Sequence, residues 1–67
     1  MEKGTKCRVI MDSFGFFKPG EIVIALETSS VPFFAKESAY SPKKALISYE
    51  SSEYNPLIDD ELEVVEE

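Results

Sequence analysis

The chain has no histidine, no tryptophan and one cysteine in 67 residues. Each scarcity excludes something. A single thiol, Cys7, cannot form an internal disulfide, so the usual staple of small secreted domains is absent. A structural zinc site wants about four Cys or His ligands, and only one is on offer. Without histidine, the side chain that most often does acid–base work near neutral pH is missing. Glycine is sparse, and Gly4, Gly15 and Gly20 stand too far apart for a phosphate-cradling loop. No apolar run approaches the roughly 18 residues of a membrane helix, and Met1-Glu2-Lys3-Gly4 lacks a signal-peptide core. The expectation is one small cytoplasmic domain over residues 1–67, not an enzyme, with no cofactor, metal or membrane partner.

What is present is ordinary for a folded protein: 43% apolar and 30% charged residues. The net charge of −6 is unevenly divided. All seven basic residues and five of the thirteen acids lie in residues 1–48, and residues 49–67 hold the other eight acids and no base. Such asymmetry speaks to solubility and partners rather than to fold. Phosphate contacts need clustered Lys and Arg, and Lys43-Lys44 is the only adjacent pair, so direct nucleic-acid binding is not expected. Asp59, Asp60, Glu61 and Glu63 lack the spacing and glycine of a calcium loop, and weak, non-specific cation attraction is the most they offer.

Turn signals at Gly15, Pro19-Gly20, Ser29-Ser30, Ser41-Pro42, Ser51-Ser52 and Asn55-Pro56 cut the chain into short pieces, the mark of a small all-β fold. Residues 6–11 alternate, with Cys7, Val9 and Met11 on one face and Arg8 and Ile10 on the other. Cys7 is therefore expected in the core. Residues 12–18 read as an irregular loop folding back on the sheet. Pro19-Gly20 suits the centre of a type II turn. Residues 21–27 are apolar on both faces, as in a strand that is central or is covered on its second face by the aromatic loop.

A hairpin link is expected at Thr28-Ser29-Ser30 and a third strand at residues 31–36, followed by a loop at 38–43. Residues 44–49 read as a fourth strand with Ala45, Ile47 and Tyr49 on one face. The alternative is a single helical turn, since Ala and Leu favour helices. A 3₁₀ turn is expected at residues 57–60. A closing strand then alternates Leu62 and Val64 against Glu61, Glu63 and Val65, with Glu63 on solvent at a sheet edge.

Five short strands, a long loop after the first and a 3₁₀ turn before the last resemble an SH3-like five-stranded barrel. The segments that carry the likeness are Lys3 to Ile10, Phe17 to Val23 and Leu57 to Glu63. In these the chain resembles the small, mostly uncharacterised SH3-like proteins of bacterial and phage genomes. The resemblance implies a fold and brings no catalytic residues. The groove tryptophan and Ala-Leu-Tyr-Asp-Tyr signature of proline-peptide binders are absent, and the acidic balance is unlike that of ribosomal barrels.

Five phenylalanines and three tyrosines are a large apolar supply for this length. Neighbours in extended chain face opposite ways, so one member of Phe16-Phe17 and one of Phe33-Phe34 must lie outside the interior, with Phe33 expected inside. The expected function is binding of another protein, or of a second copy, through Phe14, Phe16, Phe17, Phe34 and Tyr40. The acidic segment, with Glu50, Glu53, Asp59, Asp60, Glu61 and Glu63, would steer the encounter. The alternative is an inhibitor that presents those acids as a phosphate mimic to a basic nucleic-acid-binding protein.

Overall fold

The computed structural model describes residues 2–26 and 32–65, and the expected hairpin link at 28–30 lies outside them. The fold is all-β: β1 (Lys6–Val9), β2 (Ile22–Ala25), β3 (Phe33–Lys36), a 3₁₀ turn (Leu46–Ser48), β4 (Tyr54–Pro56), a second 3₁₀ turn (Asp59–Glu61) and β5 (Leu62–Val64). The strands form one antiparallel sheet in the order β4-β3-β2-β1-β5. The both-sided apolar run thus lies in the central strand. Of its second half, Val23, Ile24, Ala25 and Leu26 are all buried.

Alternation sorts the side chains onto two faces. Cys7, Val9, Val23, Ala25, Phe34 and Leu62 gather on one, and Phe17 and Leu57 close over them from the adjoining loops. Burial pushes the Cys7 thiol's pKa up, as befits a core residue. The other face carries a smaller group, Leu26, Ala35 and Tyr49, rimmed by Phe33, Tyr40 and Tyr54.

The expected closed barrel is not formed: among the described residues β4 pairs only with β3 and β5 only with β1. The sheet is nonetheless curled. At about 4.8 Å per strand, the edges of a flat five-stranded sheet lie about 19 Å apart. Leu57-Ile58 and one tight 3₁₀ turn must bridge β4 to β5, a reach of about 16 Å at a little over 3 Å per extended residue and 2 Å per 3₁₀ residue. The overall extents of 26 × 26 × 24 Å fit that curl.

Three local expectations are corrected. β1 stops at Val9, because the N–H groups of both Ile10 and Met11 donate to the Glu61 carbonyl (2.7 and 3.2 Å) and turn the chain away. Met11 therefore leaves the Cys7–Val9 face and is exposed. Residues 44–49 hold no strand: Ser48 N–H reaches back to the Ala45 carbonyl (2.9 Å), so helical preference prevails. Ile47 is 94% exposed while Tyr49 is buried, which a shared strand face would forbid. The fourth strand is Tyr54–Pro56 instead. The turn before the last strand is present, shifted to Asp59–Glu61.

Candidate functional site

Carboxylates hold the loop between β1 and β2: Asp12 and Glu61 at its aromatic stretch, and Glu21, which accepts Lys18 N–H (3.1 Å), at its end. Asp12 accepts the backbone N–H groups of Phe14 (3.0 Å), Phe16 (3.1 Å) and Phe17 (2.9 Å). One short side chain thereby satisfies three amides that no strand pairs. Gly15, at φ +71°, supplies the positive dihedral this tight path needs. Lys18 carbonyl to Glu21 N–H (3.1 Å) closes the Pro19-Gly20 turn, with Gly20 at φ +88° as its third residue.

Glu61 supplies the second anchor. Its carboxylate accepts Ser13 N–H (2.9 Å), the Ser13 hydroxyl (3.0 Å) and, more loosely, Ile58 N–H (3.4 Å). The Ser13 amide is the main reason its pKa is lowered; the hydroxyl and Ile58 act the same way, against desolvation and the Asp12 charge. Glu61 was expected as acidic surface. It is instead 6% exposed, because β5 must start where its side chain can reach back under the loop.

These bonds gather apolar side chains around one residue. Ile10 and Met11 bond to the Glu61 carbonyl, Ile58 and Ser13 to its carboxylate, and Phe14 follows Ser13. Ile10, Met11, Phe14 and Ile58 are all exposed, Phe14 at 78%. Asp59 and Asp60, also exposed, follow Ile58 directly. Four exposed apolar residues and two exposed acids are thus carried on backbone anchored at Glu61 or directly beside it.

The sequence-derived binding residues divide. Phe14 is one of the four exposed apolar residues. Phe16 is half-buried against the main core, edge-on to Phe17 with ring centroids 4.9 Å apart, and Lys36 Nζ stands 5.9 Å from its ring centre. Phe17 and Phe34, expected at the surface, are 2% and 1% exposed. The rule of opposite neighbours holds for Phe33-Phe34, where the register sets Phe34 opposite Ala25 on the larger core and Phe33 goes to the smaller one; Phe16 and Phe17, which lie outside the strands, pack against the same core. Tyr40 is half-buried against that second core.

The acids are equally dispersed in role. Glu53 binds Glu50 N–H (2.8 Å) and Lys44 Nζ (3.5 Å); the amide is the first cause of its lowered pKa. Glu63 pairs with Arg8 across β1 and β5, exposed at a sheet edge as expected. Glu50, Asp59 and Asp60 are exposed. Glu50 and Glu53 adjoin β4, whereas Asp59 to Glu63 adjoin β5 at the other end of the strand order.

Sequence reading missed Ile10, Met11 and Ile58 as exposed apolar residues and Asp12 as the loop's organiser. The signal for Asp12 was available: Asp three residues before a glycine, where side-chain turns form. Among the described residues, no three Cys, Asp or Glu side chains come together as a metal-holding group, and no helix is long and apolar enough to cross a membrane. Compared with protein-family profiles, with curated proteins and with solved structures, the chain matches none.

Proposed function

We propose that this protein is a non-enzymatic, cytoplasmic protein-interaction module of SH3-like build that docks a partner protein on Ile10, Met11, Phe14 and Ile58. The strand order, with the last strand beside the first and a 3₁₀ turn just before it, supports the SH3-like reading. The exposure of Phe14 carries the functional one. Burying such a ring contributes about 1.5–3 kcal/mol, and this chain forgoes that while Asp12 and Glu61 fix the stretch that displays it. A rigid, solvent-facing ring is a low-entropy anchor of the kind that dominates interfaces. Asp59 and Asp60, directly after Ile58, select a partner with apolar residues bordered by Lys or Arg.

The phosphate-mimic reading has less to draw on, because Glu53 and Glu61 are engaged within the molecule. Placing a photo-crosslinking phenylalanine analogue at position 11, with Phe14 kept or replaced, tests the proposal in source-cell extract. One crosslinked partner, whose capture is lost with Phe14→Ala and little changed by moderate salt, is the expected result. Capture that survives Phe14→Ala overturns it. Capture that collapses with salt alone moves the case to the acidic mimic.

A further inference from the structure

The two edges of the sheet differ in what they offer a passing chain. On β5, Val65 N–H donates to the Lys6 carbonyl (2.9 Å) and Ile10 N–H to the Glu61 carbonyl (2.7 Å). These bonds flank the Cys7–Val64 and Val9–Leu62 pairs, so both are non-hydrogen-bonded pairs of an antiparallel ladder. The polar backbone groups of Leu62 and Val64 then point away from β1. Leu62 N–H is taken by the Asp59 carbonyl. Among the described residues that leaves the Leu62 carbonyl and both Val64 groups along the outer edge.

The same logic on β4 gives a different answer. Lys36 N–H to the Glu53 carbonyl and Leu57 N–H to the Pro32 carbonyl (2.9 and 3.2 Å) turn Tyr54 and Pro56 outward. Proline has no N–H to give, which blunts that edge. No such guard stands on β5, where Val64 is 55% exposed although it sits in register with fully buried Cys7.

We infer that the β5 edge captures an extended strand with apolar residues opposite Leu62 and Val64 and a Lys or Arg opposite Glu63. Backbone pairing supplies the attachment and the two sheet faces supply the sequence preference. On one face the row Val23–Cys7–Val64 asks for another apolar side chain. On the other, Ile22–Arg8–Glu63 asks for a cation, which would extend an alternating-charge row. A second copy fits poorly: aligning two β5 edges antiparallel over all three residues sets Glu63 against Glu63. This inference does not rest on the Phe14 reading and stands whether or not that ring binds a partner.

The test is an amide NMR titration of the full chain with synthetic peptides, Val-Lys-Val flanked by threonines and its Val-Glu-Val counterpart. The expected result is that the Val64 amide shifts and exchanges more slowly with the lysine peptide, which binds about three- to tenfold tighter, the weight of a cross-strand charge pair gained rather than opposed. Val64→Pro removes a donor that has no partner among the described residues and abolishes the response, while Phe14→Ala leaves it unchanged. If Val64→Pro does not fold, Glu63→Lys serves instead and reverses the peptide preference. No perturbation at Val64, equal binding of both peptides, or a concentration-dependent dimer that occupies this edge overturns the inference.

Discussion

Two loops of this small sheet carry aromatic residues, and they are fastened by different chemistry. The loop after β1 is tied by carboxylates to backbone amides, Asp12 from within and Glu61 from the far end of the chain. The segment before β4 adds a ring to its own acid: besides Glu53 on the Glu50 amide, Tyr49 is buried, its hydroxyl accepts Ser41 N–H (3.2 Å) and donates to the Ser41 carbonyl (3.4 Å), and Lys44 Nζ lies 4.5 Å from its ring centre. Where acids do the fastening, a ring is left over for display. Where a ring does it, that ring is itself buried, and the exposed apolar side chain nearby, Ile47, is aliphatic.

Substitutions sharpen that contrast, and their effects are ordered. The largest belongs to the one ring the first loop does sink: Phe17→Ala empties the centre of the main core and costs about 3–5 kcal/mol, read as a lost or non-cooperative denaturant transition. Glu61→Ala comes next. It strips the Ser13 amide and hydroxyl of their acceptor, and amide exchange at Ser13 and Ile58 should accelerate more than at Ser41. Equal acceleration in both loops would erase the distinction between them.

The same carboxylate makes the first loop the acid-sensitive one. Its folded pKa is lowered, so the stabilisation is complete above the ordinary carboxylate range and is lost as pH falls through the lower folded value. Glu53 follows the same sign near the second loop, but the Ser41 amide is held by the Tyr49 hydroxyl and not by a carboxylate. Ser13 exchange should therefore rise on acidification before Ser41 exchange does. Tyr49→Phe removes that hydroxyl alone and costs about 1 kcal/mol. Last, Phe14→Ala changes stability by less than about 0.5 kcal/mol, which a thermal melt checks. A larger loss would mean the ring serves the fold.

How much of this was written in the sequence depends on whether neighbours or distant residues decide. Alternation placed Cys7 and Val9 correctly, and the apolar run at 22–26 announced the central strand. Pro19-Gly20 declared its turn, because φ at both positions is a local matter. Phe33-Phe34 announced that its rings would part but not which way, since strand register against β2 makes that choice. Residues 44–49 misled because alternation and helical propensity conflicted over six residues. Glu61 was the least legible: an acid among acids, its burial depends on Ser13, 48 positions away.

The pairing of β5 with β1 also has a consequence in time. Lys6–Val9 and Leu62–Val64 become neighbours only after nearly all the intervening chain has been made. Contacts closed over so long a stretch form late and set the pace of folding. Until then Ser13 has no carboxylate to hold it, and the outer side of the first strand is itself an open edge during synthesis. In a growing chain the final strand acts as the cap that ends this exposure, and any stall before it prolongs the interval in which strangers can pair there.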